Sequence, residues 1–348
     1  MDDLVANALN SLSDSQTIFL QNLPKAELHA HLNGSIPLSC LQTLARELIR
    51  SEDLSTTVTI GLRALERGFQ LNAIADFFSL FPAIYALTSS PQALATATRE
   101  VLSHFLLPGS LGEPAQCKYM ELRTTPRATN LMTREDYLNA VLDELEKYPP
   151  ESAALIVSID RRMSLQDVQE CVDVAISLRN RGRRVSGIDL CGDPMAGNMS
   201  TFLPEFTRAK LAGLKITLHI AETVENTEED TLMLLSFGPS RLGHATFLSS
   251  TARDIVLREK IPIEICLTSN LLCKTVKTID AHHVRYYLER NHPIAICTDD
   301  VLLFRNSLVG EYALLMAAPP LGLGLRELEI TKIAKMGFSS SFQSPFTD

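Results

Sequence analysis

The sequence predicts a (β/α)8 TIM barrel with a helical insertion after the first strand, and three observations predict it. Short apolar strands alternate with helical stretches along most of the chain, too uniformly apolar for a sheet with one wet face, as in parallel strands covered on both sides. Eight such units occur in 348 residues, and a barrel of roughly 250 residues leaves room for the insertion. Polar residues gather just after the C-terminal ends of the strands, where barrels of this kind carry their chemistry. A doubly wound open sheet competes with this reading, but no G-x-G-x-x-G follows the first strand.

Taken in order, residues 1–22 read as a loosely attached helix, and Leu23-Pro24-Lys25 leads into a first strand over 26–32. Helical spacing follows over 38–49, then a polar stretch at 51–59 and helices over 73–87 and 92–106. A loop rich in Gly and Pro, 108–114, opens onto a strand over 117–123. Helix 133–147 precedes strand 154–159, helix 164–181 precedes strand 185–190, and helix 201–213 precedes strand 215–220. Short strands recur near 241–243, 261–265 and 294–297. No repeat or linker divides the chain, so one domain is expected over 1–348, with the insertion at about 37–115 and a short C-terminal segment at about 318–348.

The composition, 45% hydrophobic and 21% charged, is that of a soluble globular protein, and no apolar run is long enough to span a bilayer. The start, MDDLVANALN, lacks the basic-then-apolar order of a secretory signal, so the cytoplasm is expected. Seven scattered cysteines without a C-x-x-C pair read as reduced core residues. A net charge of -9 argues against a nucleic-acid surface, while a small phosphorylated ligand met by a few local donors stays open. A monomer is expected.

The chemistry starts in Leu28-His29-Ala30-His31, where the period of two in a strand puts both imidazoles on one face. Two histidines are too few for a catalytic metal, and the ends of other strands supply the rest: His219 after the fifth, His244 after the sixth and Asp299 after the eighth. His29, His31, His219 and Asp299 form a nitrogen-and-oxygen set suited to one zinc ion per chain, with a place left for water. Ligand type alone leaves manganese, cobalt and iron open. Bound water becomes a nucleophile near neutral pH, so the site reads as hydrolytic. Glu222, three residues past His219, suits proton transfer if burial raises its pKa. His244 suits holding the attacking water or steadying an oxyanion. A rim salt bridge for Glu222 and a loop-tying bond for His244 are the plainer alternatives.

With these residues in place the chain resembles the adenosine deaminase family. The resemblance is carried in order by Pro24 to His31, Gly187 to Pro194, His219 to Glu222, Arg241 to His244, Cys266 to Asn270 and Thr298 to Asp300. It implies a zinc barrel that replaces the purine 6-amino group with oxygen. Glu222 then protonates the ring nitrogen beside the attacked carbon, and His244 orients the hydroxide. Gly192 offers its backbone N–H to the purine, Asp300 bonds the imidazole side of the base, and His31 also faces the substrate. The H-x-E and P-C-x-x-C motifs of the cytidine deaminase type are absent.

Within the family the chain is nearer to the adenosine deaminase-like branch, which acts on N6-methyl-AMP, through Ala30 to Ile36, Leu87 to Pro91, Glu121 to Arg127 and Ile263 to Asn270. Classical members place Asp where this chain has Asn33, and a neutral amide does not repel a 5'-phosphate. Thr124, Thr125 and Arg127, with Pro126 between them, are then the expected phosphate-side residues, because a guanidinium clamps phosphate through two bonds. The alternative for Arg127 is an ion pair with Asp160, which itself can aim that guanidinium or take a ribose hydroxyl. Tyr85 stands where the branch usually has His and retains a donor.

Departures from the branch are Ala245 for a glycine, Leu271 to Lys274, and Val301-Leu302 for Lys-Gly. After Ala317, Pro319-Pro320 and several glycines interrupt a helix expected there, so loosened packing beneath the barrel is expected. The leading reading is conversion of N6-methyl-AMP to IMP and methylamine, a small purine nucleotide being the partner. Deamination of adenosine or AMP is the alternative within the class. A catalytically silent, metal-dependent nucleotide-binding protein is the alternative outside it. A phosphoesterase is disfavoured because no second metal cluster is present.

Overall fold

The computed structural model describes residues 4–49, 56–67, 81–110 and 112–343. Eight parallel strands run in sequence order: β1 (Ala26–His31), β2 (Tyr119–Thr124), β3 (Ala153–Asp160), β4 (Val185–Cys191), β5 (Lys215–Ile220), β6 (Arg241–His244), β7 (Ile263–Ile265) and β8 (Ile294–Ile296). A parallel bridge between Ala30 and Asp299 joins the last strand's end to the first, with Asp299 N–H donating to His29 O at 2.9 Å. Bulges shift the register in β1 between Glu27 and Ala30 and in β4 between Val185 and Gly187, opposite Leu155 and Ile156 of β3.

The expected alternation of elements is found. Helices start where short polar side chains cap them: Ser90 before Pro91–Leu106, Thr133 with Asp136 in a capping box before Arg134–Leu145, and Ser164 before Leu165–Asn180. Their apolar faces cover the outside of the barrel, where Leu155, Val157, Ile188, Leu218 and Leu242 are buried in one continuous core. The insertion after β1 contributes Leu38–Ile49, Thr56–Arg67 and Phe81–Leu87; of the polar stretch expected at 51–59, residues 51–55 lie outside the described residues and 56–59 open a helix instead, and of the helix expected at 73–87, residues 73–80 lie outside them and 81–87 are helical. Among the described residues, no helix is long and apolar enough to cross a membrane.

Two expectations about the ends of the chain are corrected. The N-terminal segment is two helices, Leu4–Asn10 and Asp14–Asn22, and it is firmly held: Leu20 is buried, and the buried Lys25 ammonium donates to Leu20 O at 2.6 Å and Leu23 O at 2.7 Å. The C-terminal segment turns after Leu308–Met316 and resumes as helix Glu327–Ser339, whose Phe338 packs on Ala26, Leu28 and Tyr119 at the lower end of the barrel. The prolines interrupt the helix, as expected, but the resumed helix closes the space beneath the strands instead of leaving it loose.

The inside of the barrel departs most from a simple apolar reading. Glu121, Arg123, Asp189, Arg241 and Glu264 point inward from β2, β4, β6 and β7 and are fully buried. Buried charge is costly unless paired, and here each is: Glu264 meets Arg123 at 2.8 Å and Arg241 at 2.7 Å, and Asp189 meets Arg123 at 3.3 Å. This layer lies below the strand ends and supports what stands on them.

Candidate active site

β1 places His29 fully buried and His31 partly so, and the ends of β5, β6 and β8 bring His219, His244 and Asp299 to them. Ligand atoms of His29, His31 and His219 lie within 4.8 Å of one another, as do those of His29, His244 and Asp299. His31 Nε2 and His219 Nε2 are 3.1 Å apart, and Asp299 Oδ1 stands 3.7 Å from His29 Nε2 and 3.6 Å from His31 Nε2. His29 Nε2 is buried with no hydrogen-bond partner. An orphaned lone pair facing two further imidazoles and a carboxylate is what a metal ion would satisfy, so the cluster fits a metal ion.

The other ring nitrogens are held from below. Glu264 Oε2 lies 2.6 Å from His29 Nδ1, and Asp189 Oδ1 lies 3.0 Å from His219 Nδ1, which also reaches Leu190 O at 2.9 Å. Burial would raise the Glu264 carboxyl, but Arg123 and Arg241 outweigh it and hold the group well below its usual range. Ionised Glu264 therefore takes the Nδ1 proton of His29 as a hydrogen bond and leaves Nε2 free as a ligand. Sequence reading missed Glu264, Asp189 and Arg123. Their signal is present: a single charged residue between apolar neighbours inside a short buried strand, as in Ile263-Glu264-Ile265.

Glu222 and His244 face each other, with Oε1 and Nε2 3.8 Å apart. Burial raises the Glu222 pKa, and burial lowers that of His244 to about 4. The two environments push an acid toward holding its proton and an imidazole toward the neutral form. Asn226 fixes the Glu222 loop by accepting from the backbone N–H groups of Glu222 and Thr223, both at 3.1 Å. The His244 turn is tied down as well, because His283 Nε2 bonds His244 O at 2.9 Å. His244, Ala245, Ala221 and Asp299 all have positive φ, between 48° and 66°. Left-handed non-glycine backbone at three strand ends is strain concentrated at the site.

His31, His219, Glu222, His244 and Asp299 line a cavity that opens to solvent. His31, Asn33, Tyr85, Thr124, Thr125, Asp160, Gly192 and Asp300 stand in its wall, with Phe81 and Phe304 as apolar surfaces. Gly192 has φ of 95°, and a Cβ there would lie 2.6 Å from Asp160 Oδ1, so the position admits only glycine without displacement. Asp300 is buried with Oδ1 unpartnered, and burial together with Asp299 raises its pKa well above the usual range.

Pro126 and Arg127 stand behind the wall. Arg127 lies over the Tyr85 ring, 3.9 Å from its centre, and donates to Thr88 Oγ1 at 3.0 Å. Asp160 is paired with Arg162, at 2.6 Å, and not with Arg127. Arg162 lines the cavity and was not singled out from sequence, since the arginine pair after β3 gives no sign of which one turns inward. Asn33 donates to the Tyr137 hydroxyl at 3.1 Å, and that hydroxyl lies 2.7 Å from Thr124 Oγ1, so both are held by one buried phenol.

Comparison with known proteins agrees with this geometry. The family model described as adenosine deaminase matches residues 24–345. An N6-mAMP deaminase of Arabidopsis thaliana is 35% identical over 353 residues, covering 93% of this chain and 94% of that protein. An N6-methyl-AMP deaminase of Homo sapiens is 36% identical over 315 residues, covering 86% of this chain and 84% of the other. The crystal structure of Arabidopsis ADAL complexed with IMP superposes with a TM-score of 0.80 at 33% identity, covering 93% of each chain.

Proposed function

The chain belongs to the adenosine deaminase family, and from that premise we propose that it converts N6-methyl-AMP and water to IMP and methylamine. The observation that carries the reading is the cluster of His29, His31, His219 and Asp299 beside a buried Glu222, at the foot of a solvent-open cavity walled by both polar and aromatic side chains. The substrate follows from relatives named for it that match most of the chain, together with a neutral Asn33 in the wall.

We assign the metal as zinc, held by His29, His31, His219 and Asp299, a donor set of imidazole and carboxylate that suits it. Such an ion supplies Lewis acidity, which makes water a nucleophile near neutral pH. Glu222, whose pKa burial raises, is the group that gives a proton to the ring nitrogen next to C6, and the carbon becomes electrophilic. Neutral His244 accepts a hydrogen bond from the attacking water and takes up its proton. The water oxygen bonds to C6 as it gives up that proton; the C6–N bond then breaks as His244 hands the proton to the leaving nitrogen, and Glu222 recovers a proton from the C6 hydroxyl, so that IMP and methylamine leave with both residues restored. Asp300, kept neutral, donates to the imidazole side of the base, and the Gly192 N–H faces the pyrimidine side.

The phosphate end is assigned to Asn33, Thr124, Thr125 and Arg162, with Tyr85 beside them and Arg127 behind, within reach through Thr88. The ultraviolet absorbance of adenosine, AMP and N6-methyl-AMP, followed with purified protein before and after chelation, tests the reading. Turnover is expected to be fastest on N6-methyl-AMP, lost with the metal, and about 10²- to 10⁴-fold slower in Glu222→Gln. Faster turnover of adenosine would transfer the assignment to the nucleoside. No spectral change with any of the three, despite tight metal and nucleotide binding, would make the protein a binder.

A further inference from the structure

We infer that the C-terminal turn Ser340–Phe342 is a positioning element for the metal ligand His29, acting from the opposite end of the barrel through Arg241 and Glu264.

The path from the turn to the imidazole is continuous. Helix Glu327–Ser339 delivers the chain to the lower mouth of the barrel, and Ser340 O accepts from Arg241 Nη1 at 2.9 Å. The Phe342 ring then lies under the same guanidinium, 3.5 Å from Cζ to the ring centre, and the Phe342 N–H donates to Glu121 Oε1. The ring has a seat made for it: a Cβ on Gly187 in β4 would stand 2.7 Å from Phe342 Cε2. Arg241, fully buried, is ion-paired through Nη2 with Glu121 Oε2 at 2.5 Å, and its Nε donates to Glu264 Oε1 at 2.7 Å. Glu264 in turn holds His29 Nδ1 at 2.6 Å.

The physics follows from the geometry. A guanidinium has a plane and two directed edges, so its orientation decides where Nε points. The Nε bond to Glu264 and the Nη1 bond to Ser340 O fix its edges beside the charge of Glu121, while the aromatic face of Phe342 fixes its plane, an interaction strengthened by exclusion of water. Glu264 accepts four hydrogen bonds: from Arg241 and Thr217 on Oε1, and from Arg123 and His29 on Oε2. A tilt of Arg241 therefore rotates the carboxylate that aims His29. Partners of this kind, one residue removed from the ion, change metal affinity by about 10- to 100-fold when lost. Phe342 is only half-buried, so its removal leaves the packed core intact.

This inference rests on the assignment of His29 as a metal ligand, and the test separates the two. Zinc affinity of the full chain is measured by competition with a chromophoric chelator for wild type, His29→Ala, Phe342→Ala and Phe342→Tyr. The visible bands of the cobalt-loaded protein and the melting temperature of the metal-free protein are recorded alongside. Phe342→Ala is expected to weaken zinc by about tenfold and to shift the cobalt bands, with the metal-free melting temperature held and Phe342→Tyr restoring both. Wild-type affinity and bands in Phe342→Ala, with His29→Ala losing zinc, would overturn the positioning role and leave the ligand assignment standing. An affinity loss with unchanged bands that follows a fall in melting temperature would also overturn it, as stability alone. Undiminished zinc binding by His29→Ala would remove the ligand assignment itself.

Discussion

At the scale of single residues, the proposed preference for a nucleotide rests on one side chain. Asn33 presents an amide where a carboxylate would carry a charge, and it is held against the Tyr137 hydroxyl beside Thr124. Two charges about 5 Å apart at the effective dielectric of a protein surface repel by roughly 3 kcal/mol. Asn33→Asp is therefore expected to lower kcat/KM on N6-methyl-AMP at least about tenfold while sparing N6-methyladenosine. Steady-state kinetics on the two substrates checks this, and an equal loss on both would remove Asn33 from the phosphate end. The same logic explains why Arg127 was singled out and why it proved to stand behind the wall. A sequence shows that a guanidinium is near, but the stack on Tyr85 that turns it away belongs to a helix forty residues earlier.

Among the elements, β6 shows how closely backbone and ligand are fitted. Gly243 lies against His29, so that a Cβ would stand 2.9 Å from His29 Cε1, and Glu264 denies the imidazole any retreat. Gly243→Ala is expected to weaken metal binding by about tenfold or more, read by chelator competition. Ala245, two residues on, has φ of 48° and is buried. Replacing it with glycine relieves about 1 kcal/mol of left-handed strain and removes a methyl group of similar worth. Urea denaturation should place Ala245→Gly within about 1 kcal/mol of wild type. Wild-type metal affinity in Gly243→Ala would show that the strand yields and that the close approach is incidental. The departure from the usual glycine at Ala245 is thus tolerated by the strand end, whereas alanine at Gly243 would not be.

For the whole molecule, pH dependence exposes the cost of the buried polar interior. Glu311 is fully buried in helix Leu308–Met316, accepting from the Asn306 amide at 2.8 Å and facing the Thr268 N–H at 3.3 Å. Burial raises its pKa from 4.5 to about 7, against the opposing pull of those hydrogen bonds. The folded state keeps this proton where the unfolded chain has released it, so the contribution is complete below pH 4.5 and is lost as pH rises through about 7. Unfolding free energies of wild type and Glu311→Gln should converge or cross between pH 5 and 8, with a relative slope of at most about 1.4 kcal/mol per pH unit. Parallel curves would mean that Glu311 is ionised in the folded protein.

How much of this was legible beforehand depends on how far apart the interacting atoms lie along the chain. The barrel, its strand order and the gathering of the histidines and Asp299 at one end were readable, because hydrophobic period, strand length and residue type at strand ends are local properties and the barrel's topology converts them into place. The expected loosening beneath the barrel was not met, since helix Glu327–Ser339 and Phe342 close that end through contacts with β1, β4 and β6 that no local pattern announces. The linear order of residues by itself determined which side chains reach the strand ends and that His29, His31, His219 and Asp299 stand at one end. Only the tertiary structure decided which buried charge answers which, how Glu264 and Arg241 aim His29, and which arginine faces the cavity. Those outcomes are set by directed hydrogen bonds in a low-dielectric interior, between residues up to more than two hundred positions apart.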